Sequence, residues 1–314
     1  MELRENILVG RQTTLGNEHP DTFDAMEKLA VSYLDLGRSR RAMELLEQAL
    51  EKSQRSLGSE DADPLPIMYS LATCYMNLGR HQEAMELLEQ VLETRQRTLG
   101  SEHPDTLRTM VSLANSYRGL GRQQEAIDLR EKTLEDTQRT LGSEHPHTLA
   151  AMNNLAISYG DLGRQQEAMD LREKTLEVTQ RTLGSEDPYT LFAMNNLAVS
   201  YCGLGRKQEA MDLREKTLEI RQRTLGSENP STLFAMNNLA FSYSDLGRHR
   251  EANELSKKAL EARQRILGSE HPDTLDSIET VKYCNNKLSK ATGSDQQGIR
   301  STLLDIFTTV LRSI

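Results

Sequence analysis

A period of 42 residues governs this chain. Leu-Gly recurs at Leu15, Leu57, Leu99, Leu141, Leu183, Leu225 and Leu267, and Leu-Gly-Arg at Leu36, Leu78, Leu120, Leu162, Leu204 and Leu246, each series spaced by 42. Residues 142–183 and 184–225 are identical at 33 of 42 positions, which points to duplication of one structural unit. A unit this small buries its apolar face only by stacking against copies of itself, so the period demands an array of neighbours rather than a globule. Composition agrees. Among 314 residues 37% are hydrophobic, 4% aromatic and none tryptophan, thin for one large core, while 27% are charged.

Each unit reads as two helices. In one copy Leu149, Met152, Leu155, Ala156 and Tyr159 form a single helical stripe. Pro146 stands where a helix starts without losing a needed N–H, with Thr148 or His147 placed to satisfy the first turn. Gly163 stands where that helix stops, because glycine tolerates the left-handed conformation common at helix ends. The second helix runs from Gln165 to about Thr182. It turns Ala168, Met169, Leu171, Leu176 and Val178 inward and covers its outer face with Gln, Glu, Arg and Lys. Prolines respect this division, falling in the loops between units or within the first turn of a helix.

The order Leu155, Ala156, Tyr159, Gly163, Ala168 resembles the tetratricopeptide repeat: a large residue, a small one, an aromatic, a turn glycine and a small alanine. The long period, Asn-Asn-Leu-Ala and the Leu-Gly-x-x-His-Pro-x-Thr loop are similar to the variant found in kinesin light chains and nephrocystin-3. Arrays of fungal and bacterial receptor-like proteins with NACHT or NB-ARC modules are similar too. The resemblance implies an all-α, right-handed superhelical solenoid of tandem helix-turn-helix repeats. Residues 1–15 align with the end of a second helix and leave Leu3, Ile7 and Leu8 exposed; they read as a partial unit, as in a fragment or short relative of a longer receptor-like array. Six full units span 16–267, the first helix of a seventh spans 268–290, and 291–298 form a linker. Residues 299–314 place Ile299, Leu303, Ile306, Phe307, Val310, Leu311 and Ile314 on one helical face and read as a cap over the last repeat; the alternative is a partner-binding helix.

Several function classes are excluded by pattern. A net charge of −9 opposes general affinity for nucleic acid or anionic membrane. Apolar runs are too short to span a bilayer, and the N-terminal stretch lacks the apolar core of a signal peptide. Cys74, Cys202 and Cys284 are far apart, neither a disulfide framework nor a zinc site, and suit a reducing cytoplasm. No phosphate-binding, dinucleotide-binding or metalloprotease motif occurs. Polar residues recur once per unit, so a carboxylate pair would imply many identical active sites. The expectation is therefore a non-enzymatic chain with no catalytic residue, no cofactor and no metal.

Surface recognition remains. The resemblance implies that first helices line a concave groove, and the two positions before the central leucine border it: Asn153 and Asn154, Asn195 and Asn196, Asn237 and Asn238. An amide both donates and accepts, so it grips a peptide backbone irrespective of sequence. Helices about 8–10 Å apart would present one rung to roughly every third residue of an extended chain. Asn115, Arg118, Ile157, Asp161, Val199, Phe241 and Asp245 vary among the copies and are expected to set specificity, with Phe192 and Phe234 as candidate apolar contacts. Asp24, Glu27, Asp35, Asp161 and Asp245 against Arg108 and Arg118 favour a neutral or basic protein or peptide partner. The other readings are end-to-end self-association through the open N-terminal edge, and the sensor region of a larger nucleotide-binding receptor.

Overall fold

The computed structural model describes residues 1–55 and 63–292. The described residues fold as α-helices joined by turns. First-type helices are α2 (Pro20–Asp35), α4 (Leu65–Asn77), α6 (Pro104–Gly119), α8 (Pro146–Asp161), α10 (Pro188–Gly203), α12 (Pro230–Asp245) and α14 (Pro272–Thr292). Second-type helices are α1 (Glu2–Leu15), α3 (Ser39–Arg55), α5 (His81–Leu99), α7 (Gln123–Leu141), α9 (Gln165–Leu183), α11 (Lys207–Leu225) and α13 (His249–Leu267). Ala291 and Thr292, expected to open a linker, continue α14. The rest of that linker and the capping segment 299–314 lie outside the described residues.

The described residues form two compact units, the first Met1–Arg164 and the second beginning at Gln165. Within unit 1 each helix from α1 to α8 packs on the next, and α2, α4 and α6 also touch in succession. Unit 2 repeats the scheme from α9 to α14, with α12 against α14. Alanine makes this close stacking possible: Ala72, Ala114 and Ala156 of first helices and Ala84 and Ala126 of second helices are all 0% exposed. Methionines fill the gaps between layers, and Met110, Met152 and Met194 are buried completely. At the N-terminus Leu3 and Ile7 are exposed as expected, but Leu8 packs into the core formed by α2 and α3.

The loop before each first helix works differently from the expectation. The cap is the residue preceding proline: the side chains of His103, His145, Asp187 and Asn229 accept the N–H two residues on, at 3.2, 3.2, 2.8 and 2.9 Å. This explains why His, Asp and Asn exchange there, since each offers an acceptor at short reach. Thr148 instead turns back and donates to the Gly142 carbonyl at 2.8 Å.

Leu-Gly-Arg builds a hub. Gly121, with φ 75°, reverses the chain after α6. The Arg122 guanidinium then lies 4.5 Å from the centre of the Tyr117 ring, with Nε 2.8 Å from Glu125 and Nη1 2.7 Å from the Met85 sulfur. Tyr117 donates its hydroxyl to Glu89 at 2.9 Å. One arginine thus ties α5, α6 and α7 together. Arg248 does the same in unit 2, 4.1 Å over Tyr243, bonded to Glu251 and Met211, while Tyr243 donates to Glu215.

Burial, reinforced by the hydrogen bond to glutamate, pushes the phenols of Tyr75, Tyr117 and Tyr243 up to about 12. A folded-state value above the ordinary 10.0 means that the stabilisation is complete below that pH and drains away as pH rises toward 12. Absorbance titration at about 295 nm, where phenolate absorbs, is expected to show late-ionising tyrosines. Urea midpoints are expected to fall over the same interval; midpoints unchanged up to pH 12 would exclude the hub as a stabilising element.

Candidate functional site

In unit 1 the first helices α4, α6 and α8 and the starts of α5 and α7 surround a hollow of about 590 Å³ that gathers Asn115, Arg118 and Asp161. Arg118 Nη1 meets Asp161 Oδ2 at 3.1 Å, a link between α6 and α8 that neutralises both charges. Gly119 keeps the hollow open at its edge, because a Cβ there would lie 2.6 Å from the His81 ring. Ile157 is half-buried on α8, as are Asn153 and Asn154, and Asn153 is engaged in interactions within the fold.

Beneath this face runs a feature that the sequence reading missed. Arg130 of α7, assigned to the outer surface with the other second-helix cations, is 3% exposed. Its Nη2 donates to Asn115 Oδ1 at 2.6 Å, its Nη1 to the Asn154 carbonyl at 2.7 Å and to the Ser158 hydroxyl. Burial, with Arg118 nearby, pulls the guanidinium down to about 10. Arg172 and Arg214 repeat the motif in unit 2, donating to Ser200 and Ser242 at 2.6 Å each. The signal lay in the copies themselves. Where the arginine position holds Leu46 or Leu88, both fully buried, the residue 28 positions on is Cys74 or Ser116, so an inward site was readable.

Unit 2 shows where the asparagine ladder goes. Asn238 donates its amide to Asn195 Oδ1 at 2.9 Å, joining α12 to α10. Asn196 is half-buried and also engaged. Asn237 departs from the expected exposed rung: it is 2% exposed and donates to Ser277 Oγ at 3.0 Å and to Asp276 Oδ2 at 3.4 Å. Its amide fixes α14 against α12 because the helix turns that position toward the next layer. Asp245 accepts from the Tyr283 hydroxyl at 3.2 Å, and Phe241 lies 5.2 Å from the Tyr283 ring. Phe192, Val199, Phe234 and Phe241 stay exposed on the same pair of helices, at 52, 46, 46 and 36%.

Part of the acidic excess counted in the sequence is spent internally. Asp24 pairs with Arg11 and Lys28 at 2.9 Å each, and Glu27 accepts from Ser70 at 2.7 Å. Partial burial opposes ionisation of Asp24, but the hydrogen bonds from Lys28 and Arg11 outweigh it and hold the carboxyl below its ordinary range. Cys74 and Cys284 are buried, and desolvation raises both thiols, Cys74 to about 12, which suits packing rather than nucleophilic attack. Among the described residues no three His, Cys, Asp or Glu side chains cluster to hold a metal, and no helix is long and apolar enough to cross a membrane.

Models of the tetratricopeptide repeat match residues 22–63, 65–137, 124–178, 190–231 and 232–273. Two crystal structures of a Podosopora anserina putative kinesin light chain with nearly identical TPR-like repeats are similar, at 39% and 38% identity. They cover 64% and 65% of this chain and 95% and 96% of theirs, each with a TM-score of 0.58. BtubC (BKLC) from P. vanneervenii shares 24% identity and the fold, covering 79% of this chain and 94% of its own at a TM-score of 0.57. A STAND protein with a tetratricopeptide repeat sensor from Pyrococcus horikoshii shares the fold at 16% identity and a TM-score of 0.63, over 92% of this chain and 44% of that one. No curated protein sequence matches. Stacked helix pairs, buried alanines and turn glycines at the repeat's positions, together with a relative 39% identical over 95% of its own length, establish that the chain belongs to the tetratricopeptide repeat family.

Proposed function

We propose that the chain is a non-enzymatic protein-interaction scaffold whose first-helix faces hold an extended segment of another protein. The observation that carries this reading is the exposed stripe of Phe192, Val199, Phe234 and Phe241 in unit 2, large apolar side chains held out of the core beside polar rungs. The bond from Asn238 to Asn195 consumes one donor and one acceptor, leaving Asn195 Nδ2 and Asn238 Oδ1 to pair with a peptide backbone. Asn196 and Asp245 flank the stripe, and Asn237 supports it from beneath. In unit 1 the face comprises Asn115, Arg118, Asn153, Asn154, Ile157 and Asp161. With Asp24 matched by Arg11 and Lys28, and Arg108 by Asp105, the charges of Glu27 and Asp35 are what favours a neutral or basic stretch there. Stiffness of the stacked helices supplies affinity by sparing the cost of ordering the site. A reducing, cytoplasmic setting fits the buried free thiols.

An unbiased peptide-display screen on the whole chain, with Asn154→Ala/Asn196→Ala/Asn238→Ala as its control, tests the proposal. Selected peptides are expected to lose about tenfold or more in affinity to the triple variant while helicity stays native. Equal affinity would remove the ladder. A second reading, self-association, has its own observation in Leu3 and Val9 of α1, exposed at 73 and 60%. Light scattering over a concentration series separates the two, since a scaffold stays monomeric without ligand.

A further inference from the structure

We infer that the first turn of α8 is an acid-sensitive joint: an unprotonated His145 pins it, and a proton on that ring releases it while the sister helices keep their starts. The inference concerns conformation and stands whether or not the first-helix face holds a partner.

The cap is the first ground. His145 Nδ1 accepts the His147 N–H at 3.2 Å. Accepting requires a lone pair, and an imidazolium carries N–H on both ring nitrogens, so protonation turns the cap from acceptor into donor. It also sets a positive charge against the positive end of the helix. The cap is therefore complete at the alkaline side of the imidazole range, roughly pH 8 to 5, and is lost as pH falls through it. Asp187 and Asn229 make the same bond at the starts of α10 and α12, at 2.8 and 2.9 Å. An amide has no proton to gain, and carboxylates as a class titrate only near about pH 4.

The second ground is what stands beside the ring. His19, His103 and His271 cap α2, α6 and α14 in the same way, at 3.1, 3.2 and 3.2 Å. Two residues on, each of these starts carries an aspartate: Asp21, Asp105 and Asp273. His103 Nδ1 lies 3.8 Å from Asp105 Oδ2, so a proton there exchanges a lost cap for an ion pair. At that place α8 has His147, its ring 5.2 Å from the His145 ring. Acid thus brings two like charges to this helix start, where its sisters bring opposite ones together. Other charges around the turn are committed. Arg139 at the end of α7 pairs with Glu102 and Asp136 at 2.6 and 2.9 Å, and Glu144 is engaged within the fold. Neither His145 nor His147 forms an ion pair among the described residues.

Release is local. Thr148, fully buried, still donates to the Gly142 carbonyl at 2.8 Å, so α8 frays at its first turn rather than unfolding. That turn is the root of the helix that carries Asn153, Asn154, Ile157 and Asp161. Acid therefore softens the first-helix face of unit 1 at α8, while α10 and α12 of the other unit stay pinned.

Hydrogen exchange on the whole chain at about pH 7.5 and about pH 5, each rate divided by that of a free amide at the same pH, tests the inference. Protection over 147–149 is expected to fall about fivefold on acidification, the effect of losing one cap. Smaller falls are expected at the starts of α2, α6 and α14, and none at α10 and α12. His145→Asn is expected to abolish the fall at α8, and His147→Asp to reduce it to that of α6. Equal protection at both pH values over 147–149 would overturn the inference. So would a fall of the same size at α12, or one at α8 that survives His145→Asn with helicity native.

Discussion

Replacing Arg130 with alanine is expected to destabilise unit 1 by about 2–4 kcal/mol, measured by urea unfolding at neutral pH. The loss has two parts. Truncation leaves a void under α6 and α8, and it strips partners from Asn115, the Asn154 carbonyl and the fully buried Ser158. Replacement with leucine is expected to cost only about 1 kcal/mol or less, although it removes the same charge. Sister copies support this, since Leu46 and Leu88 fill the equivalent place and are 0% exposed. The buried guanidinium is also imperfectly served, its Nε having no partner. Without it, Ser158 can donate to the carbonyl four residues back, a bond common for helical serine. A leucine variant as unstable as the alanine one would show that the charged network, not the filled volume, holds the layers together.

Met194→Ala is expected to cost about 2–5 kcal/mol, and Met194→Leu less than about 1.5 kcal/mol. Met194 is 0% exposed in a cluster with Met169, Leu176, Leu191, Leu197 and Ile220, drawn from α9, α10 and α11. Three layers therefore lose contact at once. Hydrogen exchange is expected to accelerate in those three helices while α13 and α14 change little, because stacked repeats couple mainly through adjoining faces. Uniform acceleration through unit 2 would instead show that it opens as a single block.

The architecture was legible because period and chemistry agreed. Pro146, Gly163 and Gly184 delimit α8 and α9 to within two residues of the expected bounds. Caps were harder to assign, since histidine is an uncommon N-cap and the eye goes to Thr148. The residues proposed for recognition were legible only as positions: the pattern placed the asparagines on first helices, but could not tell Asn237, turned into the next layer, from Asn195, which lies along it. That distinction depends on a fraction of a helical turn and on what α14 offers opposite, namely Ser277 and Asp276. Buried second-helix arginines escaped notice because a charged residue among Glu and Lys reads as solvated. Only comparison across copies, with leucine at the same place, exposes them.

The arginine–tyrosine–glutamate knot recurs at constant offsets as far as Arg248, beyond which Lys257 and Lys290 stand in the glutamate and arginine positions; each copy that keeps it carries both the plug for the module behind it and the socket for the one ahead. Gaining or losing a whole module among those copies therefore recreates a compatible joint. Near-identical sequences also misalign readily when genes recombine. Reach along a partner can thus change by whole steps between lineages, while the seams that hold the stack need no new invention.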